Sequence, residues 1–143
     1  MLAIKNASVN LRQSFSPEQV AKTMRDYDAV VLPISFRPEM RHMSCFNIAT
    51  KMAECLGSGV PTLVIGPADS AMVKFLEPYD AAVMVKDVSK QSLIDGIERI
   101  RSGSEPTNVL RNAQQLVLTE LSFDVWYYII INKIHCEYAK DIF

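Results

Sequence analysis

Asp28-Ala29-Val30-Val31-Leu32-Pro33-Ile34-Ser35 and, after a gap, Ala53-Glu54-Cys55-Leu56-Gly57-Ser58-Gly59-Val60-Pro61-Thr62-Leu63-Val64 carry two short apolar runs and a glycine-rich turn, and together they point to the fold. Ala29 to Ile34 is a short, continuous apolar run, the pattern of a parallel strand buried on both faces, with Pro33 near its end. Pro61 to Ile65 and Ala81 to Val85 repeat that pattern. A helix is predicted from about Ile48 to Leu56, closed by Gly57-Ser58-Gly59, and a shorter one from Ala68 to Glu77, with Asp69 and Ser70 read as its cap region. Residues Ser35 to Cys45 hold Pro38, several charges and His42 without clear periodicity, so they read as an irregular loop. Alternating strands and helices of these lengths imply an α/β fold: a Rossmann-like parallel sheet flanked by helices.

Upstream of this stretch, Ser16-Pro17-Glu18-Gln19 is a helix start, with Ser16 as N-cap, Pro17 in the first turn and Gln19 completing a capping box. Downstream, Ser89 caps a helix whose Leu93, Ile94, Ile97 and Ile100 share one face before Gly103 stops it. Pro106 opens another, with Val109, Leu110, Ala113, Leu116 and Val117 at helical spacing. From Phe123 to Tyr138 the apolar residues cover most of a helix circumference, so that element needs more than one packing surface. The whole chain, 143 residues, is the size of one domain. Its expected parts are an N-terminal segment at 1–15, an α/β core at 16–102 and C-terminal helices at 105–143.

Apolar residues make up 49% of the chain and charged ones 22%, a balance that supports a folded core rather than disorder. With a net charge of −1 and no long basic run, the chain carries no electrostatic footprint for nucleic acid or a membrane surface. The apolar run Val125 to Ile134 is interrupted by Asn132 and Lys133 and falls short of the roughly 20 residues that span a bilayer. Met1 to Asn10 makes a poor signal peptide. Cys45, Cys55 and Cys136 are odd in number and lack a C-x-x-C pair, which suits reduced thiols and a cytoplasmic setting. His42 with Cys45 supplies two of the three or four ligands a metal needs, so no metal site is expected. The same two residues, taken as nucleophile and base, lack a third group to orient them.

In open parallel sheets ligands sit beyond the carboxyl ends of the strands, here after Ile34, Ile65 and Val85. On a helix beginning near Asn47, Ile48, Met52, Cys55 and Leu56 fall on one side and Asn47, Thr50, Lys51 and Glu54 on the other. The free N–H groups of that helix start suit a phosphate, and an anion there would also offset Lys51, whose charge opposes the helix dipole. Glu54 can accept two hydrogen bonds from a sugar diol. The competing reading is an exposed Lys51–Glu54 ion pair at i, i+3, worth under ~1 kcal/mol. Glu39, Arg41 and His42 form a polar cluster in the loop, either solvated or facing an acceptor or donor sugar.

Over roughly residues 17 to 102 the chain resembles the family 4 glycosyltransferases, retaining enzymes built from two Rossmann-like domains. The resemblance rests on the aspartate-led strand Asp28 to Ser35 and on Glu54 followed by Gly57-Ser58-Gly59-Val60-Pro61. It implies a nucleoside-diphosphate sugar as donor substrate and no further cofactor. It also implies Glu54 as the ribose ligand, with the turn Asn47, Ile48, Ala49 and Thr50 and the adjacent Lys51 at the donor phosphates and sugar. Where that family commonly has a first glutamate, this chain has Phe46, whereas Ala49-Thr50-Lys51 is similar to the tripeptide of a subset. The basic pair and the acceptor domain of the family have no counterpart here, so no catalytic residue is assigned and the fold is expected to be an incomplete half. Arg37, Arg41 and His42 are not expected to replace that basic pair. A bare edge on the first strand is then expected to attract another chain, giving a homo-oligomer or a complex with an N-terminal domain, or else the segment Met1 to Leu11. The alternative function is a non-catalytic remnant or subunit acting through protein association.

Overall fold

In a computed structural model of the chain, residues 16–102 and 105–122 are described. The first helix, α1 (Pro17–Met24), begins as expected: the Ser16 side chain accepts from the Gln19 N–H while the Gln19 side chain accepts from the Ser16 N–H. Arg25 follows, and its Nε donates to the Ser58 carbonyl at 3.2 Å. Three strands, β1 (Val30–Pro33), β2 (Thr62–Ile65) and β3 (Val83–Val85), form one parallel sheet in the order β1-β2-β3, with Val30 opposite Thr62 and Leu63 opposite Val83. The chain is therefore α/β with a small parallel sheet and helices, each strand shorter than its apolar run in sequence.

The segment between β1 and β2 departs from expectation. Residues Ser35 to Cys45 are not an irregular loop: a 3₁₀ turn at Pro38–Met40 leads straight into α2 (Arg41–Phe46). Ser44 stabilises this hook, its buried hydroxyl lying 3.2 Å from both the Ser35 and Met40 carbonyls. No apolar periodicity announced α2 because most of it is exposed, Phe46 at 88%. The helix predicted from Ile48 is also corrected. Asn47 is extended and ends α2, and α3 spans only Met52–Leu56, entered by a turn in which the Met52 N–H meets the Ala49 carbonyl.

α3 ends at Gly57, and Gly59 has a φ of +86°, a left-handed turn that glycine adopts without a Cβ penalty. After β2, Ser70 caps α4 (Ala71–Leu76) by accepting from the Val73 N–H, as the cap reading of this region expects. After β3, Ser89 caps α5 (Lys90–Arg101), and α6 (Glu105–Thr119) closes the described chain. Gly103 and the helix predicted at Phe123 to Tyr138 lie outside the described residues, as does Met1 to Leu11.

The alternation along each strand sorts the core into two clusters. Leu32 and Val64 join Met52, Cys55, Leu56, Met72, Val73, Leu76, Ala113 and Leu116 on the face covered by α3, α4 and α6. Leu63, Val83 and Val85 pack with Leu93 and Ile100 of α5 and with Val109 near the start of α6 on the other face. Of the predicted α5 stripe, Ile97 is left half-exposed.

Candidate functional site

The carboxyl ends of β1 and β2 are where a parallel sheet exposes backbone and loop groups to a ligand. Two clefts open there, one on each side of the Ser35–Phe46 hook. The first, about 190 Å³, runs from Pro33, Ile34 and Ser35 past Met43 and Ser44 to Asn47 and Ala49. The second, about 230 Å³, lies between Ser35, Arg37 and Arg41 on one wall and Pro67 and Asp69 on the other.

The structure divides the residues expected to bind a donor. Asn47 and Ala49 line the first cleft. Ile48 and Thr50 are exposed in the connecting segment, and Lys51 stands at the entry to α3 with no side-chain cap. The polar stripe expected to run from Asn47 to Glu54 on one helix is therefore broken, because Asn47 precedes the helix in an extended conformation. Lys51 and Glu54 meet: the Lys51 Nζ lies 3.1 and 2.9 Å from the two Glu54 carboxylate oxygens. Both side chains are half-exposed or more, so water screens the pair. Among the described residues Glu54 is thus presented on the surface with a lysine across both of its acceptors.

In the loop cluster, Glu39 sits exposed in the 3₁₀ turn and His42 exposed on α2. Arg41 is drawn away from them. Its Nε and Nη2 lie 2.8 and 2.7 Å from Asp69 Oδ2, so the guanidinium reaches across the second cleft to the loop after β2. Cys45 Sγ donates to the same oxygen at 3.7 Å. The hydrogen bond from Arg41 holds the Asp69 carboxyl below the usual aspartate range, and Asp69 in turn raises the Arg41 guanidinium. In the sequence Asp69 stands out only as part of a cap region. Its pairing joins residues 28 apart, which no spacing rule signals. Cys55 is buried under α3, and that burial pushes its thiol up, away from reactivity.

Among the described residues no group of three or more His, Cys, Asp or Glu side chains is placed to hold a metal ion, and no helix is long and apolar enough to cross a membrane. Comparison of the chain with protein-family models, with curated proteins and with solved structures finds no match.

Proposed function

We propose that this chain is a donor-binding domain of a retaining glycosyltransferase, Rossmann-like in fold, that takes a nucleoside-diphosphate sugar at the carboxyl ends of β1 and β2. The observation that carries the reading is the first cleft, where Ser35, just beyond the end of β1, and the segment containing Asn47 and Ala49 line one cavity. The resemblance of the Asp28–Ser35 and Glu54–Val64 segments to family 4 glycosyltransferases implies this juxtaposition. In the proposed complex the diphosphate lies along the 47–51 segment and Glu54 accepts from the ribose hydroxyls. Lys51 must then leave the Glu54 carboxylate and turn to a phosphate, an exchange of one exposed ion pair for another. No residue is assigned to the sugar-transfer step itself.

Calorimetric titration with common nucleotide-sugars tests this. Replacing Glu54 by Ala is expected to weaken binding about tenfold or more, since hydrogen bonds to a charged acceptor contribute ~1.5–3 kcal/mol. Unchanged affinity in that variant removes Glu54 from the role.

A second reading, association with another protein in a non-catalytic unit, is favoured by one further observation. Beside α5 an apolar groove of about 920 Å³ runs over Ala29, Val31, Leu63 and Ile65, with Ile97 and Ile100 on its flank. The β1–β2 hydrogen bonds use the N–H groups of Val30 and Ile34, so the backbone of Val31 faces the other way, and among the described residues no strand meets it. Light scattering on the eluting protein separates the readings: a monomer at high concentration counts against self-association.

A further inference from the structure

The second cleft has features that the donor reading does not use. Its side chains carry two guanidinium groups, Arg37 and Arg41, against one carboxylate, Asp69, an excess of positive charge in a crevice beyond the carboxyl ends of two strands. Arg41 is anchored but not saturated. Its side chain is 71% exposed, and both contacting nitrogens address the same Asp69 oxygen, whereas a phosphate offers the fork two oxygens at once. Asp69 has a second donor in Cys45, so its carboxylate keeps a partner when Arg41 turns away. Ser35 adds a hydroxyl at the floor: its Oγ accepts from the Arg37 N–H at 3.2 Å and retains its own proton for donation.

We infer that the cleft between Arg41 and Asp69 is a binding site for a phosphate-type anion, in which the anion displaces the Asp69 carboxylate from the Arg41 guanidinium. Asp69 acts there as an internal counter-ion, keeping Arg41 extended across the cleft and competing with the incoming phosphate. Arg37 and the Ser35 hydroxyl supply the remaining donors. The ligand chemistry is a dianionic phosphate, whether inorganic or carried on a larger molecule, and the site stands without the donor reading.

The test is phosphorus NMR titration of the full chain at low ionic strength, first with inorganic phosphate and pyrophosphate and then with nucleotide-sugars. Replacing Arg41 by Gln is expected to weaken pyrophosphate binding about tenfold, the scale of a charge-assisted pair. Replacing Asp69 by Asn is expected to tighten it about two- to fivefold, the worth of the exposed ion pair it competes with. Circular dichroism confirms that both variants are folded, and Arg37→Gln, which leaves the Arg41–Asp69 pair in place, gives an independent loss. The inference is overturned if neither anion binds, if Arg41→Gln binds as the parent does, or if Asp69→Asn binds no tighter. A nucleotide-sugar that binds through Glu54 while neither phosphate nor pyrophosphate binds through Arg41 removes this site and leaves the donor reading standing. Pyrophosphate binding through Arg41 without any nucleotide-sugar binding does the reverse.

Discussion

Among the described residues the two faces of the sheet are covered unequally. Under α3, α4 and α6, side chains from β1 and β2 meet a continuous cluster in which Leu56, Val64, Val73 and Leu76 have no exposed surface. On the α5 side the cluster holds only Leu63, Val83, Val85 and Val109. It thins toward β1, where Val31 is 49% exposed on the floor of the open groove. One amphipathic helix is about 10–12 Å across with its side chains, wide enough to shield two strands but not three. Among the described residues the first cluster therefore holds the fold, whereas the second is closed at β3 and open at β1.

That difference can be broken experimentally at three positions. The largest effect is expected from Leu56→Ala, which leaves a cavity in the closed cluster and should cost ~2–5 kcal/mol in urea unfolding. A loss under ~1 kcal/mol there would mean that this face collapses easily and is not the better packed one.

Gly96→Ala probes the closed part of the α5 face. An added Cβ on Gly96 stands 2.6 Å from Val85 Cγ2 and 3.3 Å from Leu63 Cδ1. Val85 is β-branched and buried, so it has no free rotamer to yield into. Overpacking of ~1–3 kcal/mol should outweigh the helix-propensity gain of about 1 kcal/mol, giving a modest net destabilisation in the same assay. A stabilised variant would show that α5 is free to lift from the sheet.

The smallest effect is expected at Val31→Thr, within about 0.5 kcal/mol, because a half-exposed strand position tolerates a hydroxyl. This substitution sharpens the comparison most, since a loss well above that range means that Val31 is covered in solution. Repeating the measurement across protein concentration then tells a second copy from a covering within the chain, because only the former depends on concentration.

Much of the frame could be read without coordinates. The Ser16 capping box, the Ser70 and Ser89 caps and the buried Met52, Cys55 and Leu56 side of α3 all follow local rules. Each depends on groups within one helical turn of each other. The hook from Pro38 to Phe46 did not show itself for the same reason: its short turns lack an apolar stripe and are held by Ser44 and by Arg41 reaching to Asp69. The late start of α3 was likewise hidden, since Ala49-Thr50-Lys51 favours a turn as readily as a helix and the extended Asn47 decides between them.

At the site the division follows the same line. Glu54 and Lys51 are three residues apart, so their pairing was open to view as the plainer alternative, and the structure places them in contact. Asn47 and Ala49 reach a cleft with Ser35 only because the hook folds back over the end of β1.

Outside the hook and the start of α3, the three strands, the capping serines and most inward helix faces were set by the sequence alone, since these depend on periodicity and on hydrogen bonds between near neighbours. Pairing and packing set the order β1-β2-β3, the uneven covering of the sheet among the described residues and the meeting of Arg41 with Asp69. Those features join residues far apart in the chain, and their geometry exists only once the strands have paired and the helices have settled on them.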